Sequence, residues 1–370
     1  MSLRKLLLWL HLVTGLIAAI FLIVLGVTGA VMIFEIPLDH ALNAKLYRIA
    51  PQGPRLGLDE LVARIERALV PARITGLYFP AGDDIATSVT LRSPDGKMQT
   101  FTANPYSAEI IGSLGTANSF MSKVHQFHTN LLLGPRGKVI TGWGGALLIV
   151  LSLTGIVLWW PRKIWKLSAW KPGRQANFDL HNALGFWSSI FMFLFGVTGL
   201  VIHSDNDAAQ WINRITQTPE PLPVPQPKPL PNARPVGAEQ LYHTAMETVP
   251  GARIIAIMGL GGARGAVRVM MHFPEDHTPG GRTGVFLDPT TGAVLSAQTS
   301  RTAPIGYRLA KFWNRQLHTG DTLGWPSRII ACLASLALPM LAVTGPLIWW
   351  GKLKRRREET ENTGAKRPAL

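Results

Sequence analysis

His11-Leu12-Val13-Thr14-Gly15, followed by Gly26-Val27-Thr28-Gly29, is matched 170 positions later by His181-Asn182-Ala183-Leu184-Gly185 and Gly196-Val197-Thr198-Gly199. Each copy lies in an apolar run without Asp, Glu, Lys or Arg: Leu6–Phe34 and Leu180–Ile202. Two further runs, Val139–Trp160 and Ile329–Trp350, form a second matched pair. His128-Thr129 precedes one and His318-Thr319 the other. Each His is followed 26 positions on by a Thr-Gly pair (Thr154-Gly155, Thr344-Gly345) and then by Trp159-Trp160 or Trp349-Trp350. All four runs reach the roughly 20 apolar residues that cross a bilayer. The unit is therefore span, outer segment, span, used twice in the same direction, and a two-fold axis along the membrane normal is expected.

The segments between the spans repeat as well. Val70-Pro71-Ala72-Arg73-Ile74 resembles Val249-Pro250-Gly251-Ala252-Arg253-Ile254, and Asn104-Pro105 resembles Asp288-Pro289. In the first segment Leu58, Leu61, Val62, Ile65 and Leu69 follow the helical period. Strands are expected at 74–79, 85–91 and 98–102, with Pro94-Asp95-Gly96 as a turn. The second segment predicts a helix over 238–248 and strands at 253–258, 266–273 and 283–287. Residues 219–235 hold eight prolines and read as a stiff extended linker.

Composition agrees with a membrane protein. Of the 370 residues, 47% are hydrophobic and only 16% charged, against about 25% charged in soluble domains. The mean hydropathy is +0.18. A single cysteine, Cys332, excludes an internal disulfide framework, a Cys-ligated iron–sulfur cluster and a Cys-based zinc site. The net charge of +15 raises nucleic-acid binding, but its distribution argues otherwise. Arg4 and Lys5, then Arg162, Lys163, Lys166, Lys171 and Arg174, then Lys352, Lys354, Arg355, Arg356, Arg357, Lys366 and Arg367 flank the spans on one side. By the positive-inside rule that side is cytoplasmic, so nucleic acid is not an expected partner. The first apolar run is too long for a signal peptide and reads as a retained anchor.

With the Thr-Gly-x-x-x-Trp-Trp span endings, the His-x-x-His-x-Asn-Leu run at 125–131 and the helix–strand outer segments, the chain resembles the PepSY-associated transmembrane family over nearly its whole length. The expected fold is a membrane α-helical bundle of four transmembrane helices with two α+β PepSY-like periplasmic domains and an internal two-fold repeat. The expected boundaries are 1–36 for the first span and 37–137 for the first periplasmic domain with its pre-membrane helix. Then come 138–161 for the second span, 162–178 for a basic cytoplasmic loop and 179–203 for the third span. The linker and second domain occupy 204–327, the fourth span 328–350 and a basic cytoplasmic tail 351–370. The resemblance implies a bacterial inner-membrane location. It also implies haem b and the reduction of ferric siderophores on the periplasmic side, although many family members have no assigned function.

The histidines are the candidate cofactor ligands. His11 and His181 stand near the cytoplasmic starts of spans one and three, each with Gly one turn on (Gly15, Gly185), where a small residue leaves room for a flat macrocycle. Two repeat-related histidines on different helices suit bis-imidazole ligation of one haem iron. The alternative is a pair of interfacial histidines reaching water, with Gly serving helix contact. His128 and His318 form the outer candidate pair. His203 shares a helix face with His181 about 33 Å away at a rise of ~1.5 Å per residue and competes for the outer role, as does His125, one turn before His128. His40, His243, His272 and His277 read as solvated. The Thr-Gly pairs read as packing devices whose hydroxyls bond backbone carbonyls. Arg4, Lys5 and Arg174 inside, and Arg136, Lys138, Arg315 and Arg328 outside, are candidate partners for haem propionates.

No Gly-rich nucleotide loop opens a strand–helix unit, so an electron donor would be external: membrane quinol or a separate reductase. Two b haems in series would pass electrons to a ferric siderophore in a cleft between the outer domains. The arginines of those domains, Arg48, Arg55, Arg73, Arg253, Arg268, Arg282 and Arg301, would meet its oxygens. No catalytic side chain is assigned. Two rival readings remain: a non-enzymatic PepSY protein binding a periplasmic partner, and a transporter subunit.

Overall fold

A computed structural model describes residues 1–115, 120–165, 173–219, 223–224, 226–227, 234–262, 265–278, 280–281 and 283–364. Lys166, Lys171, Arg282, Lys366 and Arg367, and most of the proline-rich linker, lie outside the described residues. The chain divides into two compact units. One is Met1–Phe34, Val124–Ser204 and Leu317–Leu370; the other is Glu35–Lys123 and Asp205–Gln316.

The first unit is a bundle of four long helices: α1 (Leu3–Met32), α6 (Gly134–Trp159), α7 (Arg174–His203) and α12 (Trp325–Gly364). Each is long and apolar enough to cross a membrane. Their large apolar side chains point outward, as with Ile17, Ile20, Ile190 and Leu333. Inward positions are mostly small or polar: Thr14, Ala18, Gly26 and Ala30 lie on one face of α1, with Leu22 at its centre. This pattern suits lipid, where no hydrophobic force drives helices together and close backbone contact must do so. At mid-depth Leu22, Leu148, Met192 and Leu338 close the centre of the bundle. Ser335 Oγ donates to the Gly26 carbonyl at 2.9 Å. The helices outrun the apolar segments. α7 begins six residues before Leu180, and α12 continues through the basic tail, where Lys354–Glu358 and Arg355–Glu359 pair at i, i+4, a spacing that supports exposed helix.

The second unit contains α2 (Glu35–Leu42), α3 (Ala44–Tyr47), α4 (Leu58–Ala68), β1 (Arg73–Tyr78), β2 (Thr87–Arg92), β3 (Met98–Ala103) and β4 (Ile110–Gly115). α5 (Phe120–Asn130) leads into the bundle. The second half adds α8 (Asp205–Ile215), α9 (Ala238–Thr248), β5 (Arg253–Met258), β6 (Val267–His272), β7 (Thr283–Leu287) and β8 (Val294–Gln298). It ends with α10 (Ile305–Tyr307), a π-helical turn at Arg308–Trp313 and α11 (Asn314–Thr319). Among the described residues each half therefore has four strands where three were expected. β4 and β8 escape detection because Ile-Ile-Gly-Ser-Leu-Gly and Val-Leu-Ser-Ala-Gln lack a sustained alternation.

All eight strands form one antiparallel sheet in the order β4-β3-β2-β1-β5-β6-β7-β8. The two outer domains expected from the sequence thus share a sheet, and their meeting line is a ladder rather than a cleft. At that seam Gly76 faces Met258, Leu77 faces Ile257 and Tyr78 faces Ala256. β1 and β5 have the same alternation of buried and exposed residues. Both carry a bulge after their first ladder pairs, between Ile74 and Gly76 and between Ile254 and Ala256.

α4 and α9 cover one face of the sheet, and Leu61, Ile65, Leu241 and Ala245 bury against Leu77, Val89, Ile257, Val269 and Val285. A fully buried aliphatic side chain contributes about 1.5–3 kcal/mol. Both helices begin after a glycine, Gly57 and Gly237, which has no side chain to cap with. The caps are exchanged. Leu58 N donates to Glu239 Oε2 at 2.6 Å and Glu239 N donates to Asp59 Oδ1 at 3.1 Å. Each helix start thus receives a carboxylate from the other, where the helix dipole favours negative charge.

Candidate functional site: two histidine pairs in the bundle

α1 and α7 start at the end of the bundle where α6 and α12 finish. At that end the rings of His11 and His181 lie 6.4 Å apart, centroid to centroid, with planes at 86°. At the opposite end the rings of His128 and His318 lie 6.2 Å apart at 57°. On α1 the inner His11 and Thr28, which contacts the outer His128, are 17 residues apart; so are His181 and Thr198 on α7. That separates the two levels by about 25 Å along the helices.

Every one of these four rings is seated on a Thr-Gly pair. His11 Nδ1 is 2.8 Å from Thr154 Oγ1, and His181 Nδ1 is 2.8 Å from Thr344 Oγ1. His128 Nδ1 is 3.1 Å from Thr28 Oγ1, and His318 Nδ1 is 2.8 Å from Thr198 Oγ1. The adjoining glycine lies under the ring edge. A Cβ at Gly29, Gly155, Gly199 or Gly345 would stand 3.0, 3.3, 3.3 or 3.4 Å from Cε1 of the corresponding histidine. The sequence reading of these pairs as packing devices was incomplete. The threonines do bond backbone carbonyls, but they also hold the histidines. The signal available in the sequence was position: these four Thr-Gly pairs recur at repeat-equivalent places, as the histidines do, whereas Thr14-Gly15 and Thr141-Gly142 have no counterpart.

Around His11 and His181 is a cavity of about 500 Å³, within the usual range of a ligand site. Gly15, Gly185, Leu151, Leu341, Trp159 and Phe186 wall it, and Arg4, Arg162, Lys352 and Arg356 also line it. Of the three cations expected to meet propionates on this side only Arg4 is at the cavity; Lys5 and Arg174 are not among its lining residues. The donor set fits a flat, metal-centred, dianionic ligand. Two metal–imidazole bonds of about 2 Å, plus roughly 1 Å from each nitrogen to its ring centroid, span about 6 Å, the separation found in both pairs.

The outer pair depends on two chain reversals built differently. After α5, Leu131 and Leu132 both take left-handed backbone, at φ 52° and 59°, a conformation costly for bulky residues. α6 then packs so closely that a Cβ on Gly137 would collide with the Asn130 carbonyl. After α11 the turn is polar. Asp321 accepts from Thr319 Oγ1 at 2.7 Å and pairs with Arg328 at 2.6 Å, and both partners are largely buried. Arg328, a candidate propionate partner, thus directs Nε and Nη2 at Asp321. His125 stands one turn before His128, with Thr129 Oγ1 donating to its carbonyl at 2.8 Å. His203 packs flat against α6, where a Cβ at Gly142 would meet three of its ring atoms at 2.9–3.0 Å.

In the second unit, three arginines expected to meet substrate are already paired: Arg55 with Asp83, Arg73 with Glu66 and Arg301 with Glu275. Arg268 instead lies over the Phe286 ring, 5.7 Å from its centroid.

Comparison with known proteins agrees with the bundle. An uncharacterized protein of Pseudomonas aeruginosa is 37% identical over 76 residues, a stretch covering 20% of this chain and 19% of that protein. This chain thus matches about a fifth of that relative's length. The description of the PepSY-associated TM region matches residues 8–352, from the first turns of α1 to the basic stretch of α12. Four membrane-crossing helices joined by α+β segments, and a family match over almost all of them, make this chain a member of the PepSY-associated transmembrane region family.

Proposed function

We propose that the protein is an electron-transfer protein of the bacterial inner membrane that holds two b haems and reduces ferric siderophores in the periplasm. The observation carrying this reading is the repetition of one ring arrangement at two depths: two histidines about 6 Å apart, each fixed through Nδ1 to a threonine. A metal held between the two rings accounts for the same separation at both levels. The assigned ligands are His11 and His181 inside, His128 and His318 outside. The internal two-fold repeat that we adopt for the whole chain is supported by the matching strand patterns and the exchanged helix caps.

Bound haem supplies a one-electron couple that the side chains lack. The chain's own residues would hold, orient and insulate it. Arg4, Arg162, Lys352 and Arg356 would neutralise propionates, and Gly15 and Gly185 give the macrocycle room. Leu22, Leu148, Met192 and Leu338 keep water from the bundle centre. With the basic flanks cytoplasmic, the His128/His318 level faces the periplasm. There Fe(III) in an oxygen chelate would be reduced to the weakly held Fe(II). Membrane quinol or a separate reductase is the donor in this scheme.

The test is the purified chain. Its pyridine haemochrome should approach two haems. Dithionite-reduced protein should reoxidise with a ferric siderophore while a ferrous chelator captures the iron. Protein that stays colourless after expression with ample haem would overturn the reading and leave a partner-binding or transport role for this family member.

A further inference from the structure

The four threonines do more than touch the histidines. Each hydroxyl also lies close to the carbonyl four residues earlier on its own helix: Thr28 to Val24 at 2.7 Å, Thr154 to Val150 at 2.7 Å, Thr198 to Leu194 at 2.6 Å and Thr344 to Met340 at 2.8 Å. A hydroxyl has one proton and two lone pairs, and a carbonyl can only accept. The hydroxyl proton therefore goes to the carbonyl. What Thr Oγ1 offers the imidazole is a lone pair, and the proton between Oγ1 and Nδ1 belongs to the histidine.

We propose that Thr28, Thr154, Thr198 and Thr344 are positioning residues that select the Nδ1–H tautomer of His128, His11, His318 and His181 and thereby leave Nε2 as the basic nitrogen. The chain at each site runs Nδ1–H to Oγ1, then Oγ1–H to the backbone carbonyl. Hydrogen bonds in such a chain polarise one another. A ligand histidine that donates through its second nitrogen is a stronger donor, and such outer partners matter to metal affinity. The helix supplies the acceptor at no cost in solvation, because the bond to the carbonyl four residues back is one that Thr makes readily within membrane helices. The neighbouring glycine completes the seat by admitting the Cε1 edge. The ligand identity rests on the haem reading above; the tautomer does not.

Two measurements separate the claims. Nitrogen NMR of the haem-free chain with labelled histidine reports which ring nitrogen carries hydrogen. His11→Gln and His128→Gln assign the signals. Nδ1–H is expected at His11 and His128. Thr154→Val, which removes the hydroxyl acceptor but keeps the shape, should shift His11 toward Nε2–H, and Thr154→Ser should restore it. Thr28→Val and Thr28→Ser test the other level and stand in if the first valine variant does not fold. In haem-loaded protein the valine variants should raise the midpoint potential of one haem only, since a less basic ligand favours Fe(II). They should also weaken haem retention about 10- to 100-fold, and serine should reverse both. An Nε2–H signal at His11 and His128 in the unmodified chain overturns the inference, as do valine variants with unchanged tautomer and potential. A chain that binds no haem but shows the predicted tautomers sinks the electron-transfer reading alone.

Discussion

At the scale of the residue, the histidines divide by what surrounds them. His11→Ala or His181→Ala should remove one haem and leave the other, because about 25 Å of helix separates the two levels. His318→Ala should remove the opposite one. Absorption and EPR spectra of the single variants check this, and loss of both signals from one substitution would show that the levels are not independent. His203→Ala should retain both haems, since its ring packs on Gly142 and not on another histidine. The pairing of His11 with His181, and of His128 with His318, was legible in the sequence because the repeat placed them at matching positions. Their threonine partners were not. His11 and Thr154 are 143 residues apart in the chain, and a Thr-Gly pair in an apolar helix has an adequate explanation in helix packing. The cations lining the inner cavity were equally hidden, because Arg162, Lys352 and Arg356 read in the sequence as basic flanks of the spans.

At the scale of the element, the placement of His128 rests on the junction of α5 and α6. Gly137→Ala should force α6 away from the end of α5 and destabilise the bundle by about 1–3 kcal/mol, the usual cost of overpacking. The outer haem should loosen before the inner one, and thermal release followed at the Soret band would show the order. The exchanged caps give a second test. Asp59→Ala should weaken the start of α9 and Glu239→Ala the start of α4, each by ~1 kcal/mol. Both would be read as a lower urea midpoint of the full-length protein with unchanged haem content. A variant with an unaltered midpoint would mean that water serves those amides as well. The spans and the two outer helices were readable from periodicity. β4 and β8 were not, since at the edge of a sheet side-chain alternation is weakly enforced, and glycine in β4 blurs it further.

At the scale of the whole molecule, the basic flanks make a directional claim. A reporter active only in the periplasm should work when fused within 35–123 or 205–316 and be silent at Leu370; activity at Leu370 would reverse the orientation. The joining of the outer segments into one sheet could not be read in advance. A periodic sequence announces that two segments are alike, but not that their first strands pair with each other. The seam has a further consequence. Leu77 and Ile257 occupy equivalent places in the two halves and face each other. Gly76 faces Met258, and its counterpart Ala256 faces Tyr78, so a small residue meets a large one on both sides. This is the rule of an isologous interface, in which one patch must complement its own copy. A half-length chain with this strand would present an edge whose small and large residues match a second copy of itself.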